Sequence, residues 1–185
     1  MNSLQGQLLL DGGKLTGSEF HHTVVLICRH DPDGAFGLVL NKASEHTVAE
    51  SLIEKLPAAM QELPVFLGGP VNPQALSCLI YEPAIIAITE AHILPGLRLT
   101  HDLDELLEPS GSFVPATQLK FFAGYAGWSA GQLDNEMKRN DWLTHPACID
   151  FIFNSKPTEL WKTILRGKGP KYRLLAESPD DISQN

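Results

Sequence analysis

Apolar residues in this chain come mostly in short runs bounded by turn residues, and less often at helical spacing. Thr23-Val-Val-Leu-Ile-Cys28 is a continuous, β-branched run that predicts a well-buried strand. Arg29-His-Asp-Pro-Asp-Gly34 follows as a turn: Pro32 presets φ, the aspartates can bond nearby backbone, and Gly34 can take positive φ. Ala35-Phe-Gly-Leu-Val-Leu40 then returns, so residues 23–40 predict a β-hairpin that Asn41 closes. Short apolar runs predict further strands at 65–67, 75–81, 83–89, 91–94, 97–100 and 118–126, with Trp142 and Leu143 opening another. Helical spacing over 47–60 places Val48, Leu52, Ile53 and Leu56 on one face. Thr47 and Glu50 form a capping box at its start, and Pro57 ends or kinks it. Helices are also expected at 101–108, 132–139 and 157–167, the last with Pro157 in its first turn and Gly167 at its end. Pro109-Ser-Gly111 breaks the second of these four. Strands joined by short turns, with helices interleaved, predict an α+β fold. The sheet is expected to be mixed and largely antiparallel rather than doubly wound and parallel.

Length and charge narrow the function classes. The 185 residues suit one domain, expected over 1–172, with a polar, acidic tail over 173–185 that frays. The formal net charge is -8, from 22 acidic and 14 basic residues. A nucleic-acid binder draws most of its affinity from a basic face, so direct nucleic-acid binding is disfavoured. Basic residues gather only over 162–173, which reads as a solvated helix end. The three cysteines, Cys28, Cys78 and Cys148, sit in or beside apolar runs without a CxxC pair, and read as buried thiols of a reducing cytosol. Residues 1–10 lack the basic start of a secretory signal, and no apolar run approaches the ~18 residues of a membrane span. A cytoplasmic protein without a membrane segment is expected.

One corner carries the conspicuous chemistry. Residues 121–136 run from an apolar strand, through Gly124, Tyr125, Gly127, Trp128 and Gly131, into an amphipathic helix. Glycines at such a corner let a backbone approach something closely. Gly127-Trp-Ser-Ala-Gly131 matches the nucleophile-elbow pattern, with strand before and helix after. Yet the only histidine downstream is His145, too few residues on for the usual triad topology. Ser129 reads instead as a helix N-cap, with Gln132 completing a capping box. Cys148, close to His145, is the other candidate nucleophile of a small hydrolase. Asp134, Glu136 and Asp141 read as solvated charges. Asp31-Pro-Asp-Gly34 lacks the later ligands of a calcium loop. His21 and His22, as neighbours in a strand, would face opposite sides and could not share an ion, so no metal and no cofactor are expected. The leading reading is a ligand or partner cleft. It is built from the hairpin end (His30, Asn41), from Gly68 and Gly69, and from the corner (Tyr125, Trp128, Gln132). Under this reading, replacing Trp128 with Ala removes binding and leaves the fold intact.

Three blocks together resemble the AlgH/YqgE family of small bacterial proteins. They are residues 23–41, Val65-Phe-Leu-Gly-Gly-Pro-Val71, and residues 122–137 followed by Trp142-Leu143. The resemblance covers roughly residues 6–166. It implies a compact fold with a strongly curved, barrel-like sheet flanked by helices, and the label of transcriptional regulator. The cleft and the charge add the expectation that any such role is indirect, through a small ligand or a protein partner. It supplies no cofactor and no catalytic residue. The chain departs from the family pattern at Asp11-Gly-Gly-Lys-Leu-Thr16, where relatives open with a Met-Pro-like segment. It departs again at Ile80-Tyr81, where they tend to carry histidine, and at Ser129, often glycine in relatives.

Overall fold

The computed structural model describes residues 3–51, 56–86, 88–89, 91–107 and 114–177. The chain begins with β1 (Gln7–Asp11), β2 (Val24–Asp31), β3 (Gly34–Val39) and β4 (Ala43–Thr47). Two single-turn helices, α1 (Val48–Ser51) and α2 (Ala58–Gln61), lead to β5 (Pro64–Leu67) and the long β6 (Val71–Tyr81). Then come β7 (His92–Leu94), β8 (Leu97–Thr100), a 3₁₀ turn at Leu103–Leu107, α3 (Pro115–Gln118) and the long β9 (Leu119–Ser129). The chain continues through α4 (Gln132–Lys138), β10 (Trp142–Pro146), a π-helical segment (Asp150–Asn154), α5 (Pro157–Gly167) and α6 (Pro170–Glu177).

Ten strands make one curled sheet in the order β10-β1-β2-β3-β9-β6-β8-β7, every neighbouring pair antiparallel. β5 adds the one parallel pairing found among the described residues, Val65 opposite Phe121 of β9, and carries β4 on its other edge. The fold is thus α+β with a largely antiparallel half-barrel, as expected from the short runs and from the family resemblance.

The hairpin forms where the turn chemistry puts it. The Asp31 carboxylate accepts from the Asp33 N–H at 2.9 Å, and Gly34 takes φ 144°. Glu50 reaches back to the Thr47 N–H at 2.9 Å, the reciprocal half of the expected capping box. Other expectations are corrected. Residues 83–86 and 88–89 form no strand, and residues 103–107 wind as a 3₁₀ turn rather than an α-helix. Leu52 and Ile53 and the Pro109-Ser-Gly111 break lie outside the described residues. The frayed tail expected from residue 173 begins inside α6, whose Ala176 is buried against the main core; residues 178–185 lie outside the described residues.

The largest core lies inside the curl. Leu26, Leu38, Leu79 and Phe122 project from the strands, and Ile152 of the π-helical segment with Leu160, Trp161, Ile164 and Leu165 of α5 close over them. Each such apolar side chain stabilises the fold by about 1.5–3 kcal/mol. A second core packs Val25, Ile27, Ala126 and Trp128 against Leu133 of α4 and Trp142. A third sets Phe121, Cys78 and Ile80 against Val48, Met60 and Leu106. β9 serves all three. Residues 120 and 122 face one way and 119 and 121 the other, and an irregularity at Gly124 (φ 70°) then shifts the alternation by one residue. Tyr125 therefore packs on the inner core, while Ala126 and Trp128 pack on the second.

Candidate functional site

The glycine corner does approach a backbone closely, and that backbone is its own chain. A Cβ on Gly68 would overlap the Gly124 carbonyl oxygen, and one on Gly69 would overlap the Tyr125–Ala126 peptide. One on Gly124 would stand 2.5 Å from the Gly69 oxygen. Gly68 also donates to the Ala123 carbonyl at 2.9 Å and accepts from the Val39 N–H at 2.9 Å. Gly68, Gly69 and Gly124 thus interlock the β5–β6 connection with β9. The outer side of Gly69 lines a groove of about 310 Å³ with Phe20, Leu67, Pro70 and Lys42.

Trp128 is 7 % exposed, with its ring edge-on to Trp142 at 6.3 Å. Both indole N–H groups donate to the same oxygen of Glu136, Oε2, at 2.8 Å each. Gln132 donates to the other oxygen at 3.0 Å. Glu136, expected to be a solvated charge, is the shared acceptor that ties α4 to two strands. Ser129 is not the helix cap: Gly131, in the left-handed conformation at φ 69°, occupies that position. Gln132 still reaches back to the Ser129 N–H at 3.1 Å, and the serine hydroxyl lies 3.2 Å from the same carboxamide oxygen rather than beside a base.

The remaining expected site residues act as fasteners. Asn41 accepts from the Val24 N–H at 2.8 Å and donates to the His22 carbonyl at 2.9 Å, sealing the hairpin. His30 is buried; its Nδ1 accepts from the Leu4 N–H at 3.1 Å, which puts the ring proton on Nε2, 3.7 Å from Asp134. The structure therefore does not gather His30, Asn41, Gly68, Gly69, Tyr125, Trp128 and Gln132 around one cleft. Tyr125 and Trp128 face different cores, and the hydrogen-bonding groups of Asn41 and Gln132 are engaged within the fold.

His21 and His22 also depart from expectation. They precede β2, and His22 takes φ 53°, so the rings stack at 3.8 Å instead of facing opposite sides. His22 stacks in turn on Trp161 at 3.9 Å, and with Asp11 the two histidines form a group of metal-ligand type. The Asp11 carboxylate is already a loop clamp: Oδ1 accepts from the N–H groups of Gly13, Lys14 and Leu15, and Oδ2 from that of His22. Stacked imidazoles hold their in-plane lone pairs side by side, which is a poor start for two bonds to one ion.

A different place offers unengaged chemistry. β2 bulges against β3 between Ile27 and Arg29. There a cavity of about 220 Å³ is lined by Gln5, Cys28, Arg29, Phe36, Ala91, His92, Ile93, Leu99 and His101. Phe36 is half-buried, backed by the Tyr125 ring at 4.8 Å and met edge-on by His101 at 6.0 Å. His92 is only 8 % exposed. Its Nδ1 meets the Thr89 hydroxyl at 2.7 Å and accepts from the Thr89 N–H at 3.4 Å, so the proton of the neutral ring sits on Nε2. That buried Nε2 has no partner among the described residues. The sequence signal was faint: one histidine inside an apolar run that otherwise reads as an ordinary strand.

Elsewhere, burial quiets two thiols. The Cys28 thiol is pushed far up by desolvation, and the Cys78 thiol up to about 12 for the same reason. Cys148 is exposed rather than buried. Its neighbour His145 turns Nδ1 to the Pro146 carbonyl, at 2.7 Å. Lys120, buried on β9, donates to the Ile152 carbonyl at 2.9 Å and lies 4.0 Å from the centre of the Phe66 ring. Desolvation lowers its amine to about 7, against the pull of those two contacts. No helix among the described residues is long and apolar enough to cross a membrane.

Comparison with known proteins agrees with this architecture. The family described as AlgH-like matches residues 8–173. A UPF0301 protein of Chlorobium luteolum is 36 % identical over 179 residues, spanning 95 % of this chain and 91 % of that protein. One from Cytophaga hutchinsonii is 32 % identical over 183 residues, spanning 98 % of each. The solution structure of AlgH from Pseudomonas aeruginosa superposes with a TM-score of 0.73 at 28 % identity, covering 96 % of this chain and 95 % of that one. A crystal structure from Corynebacterium diphtheriae, 22 % identical with a TM-score of 0.76 and covering 96 % and 93 % of the two chains, shares the fold. The match runs through almost the whole sequence and the whole sheet, and the chain belongs to the AlgH-like family.

Proposed function

We propose that this protein binds a small molecule in the cavity beside Phe36, and that any regulatory effect is indirect, through that occupancy. The observation that carries the reading is the cavity itself: apolar walls (Phe36, Ile93, Leu99) combined with a few polar groups at a strand bulge. That mixture is what small-ligand sites present, although about 220 Å³ restricts the occupant to a compact molecule. The net charge of -8 argues against a direct DNA reader. Ser129 Oγ lies beside the Gln132 carboxamide and His145 Nδ1 beside the Pro146 carbonyl, contacts that favour binding over a serine hydrolase. The test is a thermal-shift and NMR screen of small polar metabolites, neutral and charged. At 100 times its Kd a ligand stabilises the protein by about 2.7 kcal/mol. At least one compound is expected to raise the Tm and to shift the signals of Cys28, Phe36 and His92. Filling the space with Leu99→Trp should abolish both effects. Hits that map elsewhere, or that survive Leu99→Trp, would sink the reading.

A further inference from the structure

We infer that the cavity is an oxyanion site: it takes a small acid whose carboxylate or phosphate oxygen accepts from His92 Nε2–H beside the Arg29 guanidinium, with the carbon body against Phe36 and Leu99. The inference rests on the cavity being a ligand site and specifies what kind.

Three observations support it. First, the His92 ring is fixed by Thr89 in the tautomer that makes Nε2 a donor, and this donor is buried without a partner among the described residues. A buried donor left unpaired destabilises the fold, whereas a ligand acceptor would satisfy it. Second, the charged and titratable groups on the wall are Arg29, His92 and His101, with the buried Cys28 thiol held neutral; none of the described lining residues carries a carboxylate. Arg29 pairs through Nε with Asp31 at 3.1 Å, which leaves its terminal nitrogens for a second oxyanion, and its side chain is 68 % exposed at the rim. Third, the geometry is held from several sides. Gln5 donates to the His92 carbonyl at 3.0 Å, and Tyr125 backs Phe36. The wall is therefore held in place, and a local shift of the imidazole, whose Nε2 has almost no open surface, is what a ligand oxygen needs to reach it.

The experiment is a titration of ¹⁵N-histidine-labelled full-length protein, read at the His92 ring nitrogens. The titrants are benzoate, its neutral isostere benzamide, and inorganic phosphate, with sodium chloride as the ionic-strength control. Benzoate or phosphate should give a saturable shift of His92 Nε2 that chloride does not give. Benzoate should bind at least fivefold more tightly than benzamide, and Arg29→Gln should weaken the anions by at least fivefold while leaving benzamide unchanged. Whichever oxyanion binds more tightly distinguishes a carboxylic acid from a phosphate as the occupant. If benzamide binds as well as benzoate, or Arg29→Gln leaves the anions unaffected, the oxyanion inference fails and the small-molecule reading survives. If no titrant moves His92 and the metabolite screen finds no ligand removed by Leu99→Trp, both fail. Arg29→Gln is a clean variant for this purpose, because that side chain is largely outside the core.

Discussion

The glycine–tryptophan corner is built on β9 and the β5–β6 connection, and the cavity beside Phe36 on β2, β3, β7 and β8, with Tyr125 of β9 packed on Phe36 between them. At the corner the conspicuous groups are matched within the chain. Gly68, Gly69 and Gly124 meet one another's backbone, and both indoles share Glu136. At the cavity a buried imidazole, a rim guanidinium and Phe36 line a space of about 220 Å³. Conspicuous residue types reflect steric and hydrogen-bonding demands of the fold as readily as they reflect a ligand. A better pointer to binding is polar chemistry that the fold leaves unsatisfied.

That contrast can be broken most directly at Trp128. If the corner is structural, Trp128→Ala opens a cavity in the second core and leaves the Glu136 carboxylate half-solvated. The loss should be about 3–5 kcal/mol, read as a fall in the urea midpoint. A variant that keeps its midpoint and loses ligand binding would return the corner to the role of a cleft wall. Gly69→Ala comes next. Its φ of 151° is strained for any L side chain, and the methyl group would meet the Tyr125–Ala126 peptide. A loss of about 3 kcal/mol is expected from conformational strain and overpacking together. A substitution tolerated within about 0.5 kcal/mol would show that the β5–β6 connection is free to move away from β9.

Lys120 sharpens the comparison from inside the curl. Its folded-state amine titrates at about 7, against 10.5 in the unfolded chain. Between those values the unfolded state binds the extra proton, so stability rises with pH across the window and is flat below it. The slope from this one group is at most about 1.4 kcal/mol per pH unit. Lys120→Met should remove that rise when denaturation is followed from pH 7 to 10, with other titrating groups cancelling in the difference. Identical slopes in the two proteins would mean that the amine stays charged, held by Phe66 and the Ile152 carbonyl.

Much of this architecture was legible in the chain. A continuous β-branched run located β2, the turn after it and a second apolar run located β3, Pro157 and Gly167 bounded α5, and Thr47 with Glu50 announced a helix start. What stayed hidden has physical reasons. β1 shows only three consecutive leucines, too short a run to separate strand from helix. The π-helical segment and α6 owe their form to packing over the inner core, which local propensity does not record. Tyr125 and Trp128, three residues apart, face opposite ways by simple alternation; what the sequence hides is the irregularity at Gly124, which turns Tyr125 toward the inner core and Trp128 toward the second. The cavity was the least visible, because Cys28, Phe36, His92 and Leu99 come from four strands and each reads singly as core.

The smallest expected effect carries the other half of the comparison. Arg29 is on the cavity rim, with its side chain largely exposed and one ion pair to Asp31 at 3.1 Å. Exposed pairs of this kind contribute about 0–1 kcal/mol, and surface substitutions usually stay within about 0.5 kcal/mol. Arg29→Gln should therefore leave the urea midpoint and the m-value nearly unchanged, where Trp128→Ala and Gly69→Ala lower stability severalfold more. Seen beside the titration of His92, the same variant separates two meanings of an arginine at a cavity mouth. A side chain kept for the fold would lower the midpoint and leave anion affinity alone. A side chain kept for a ligand would do the reverse, and a midpoint drop of more than about 1 kcal/mol would place Arg29 with the corner rather than with the site.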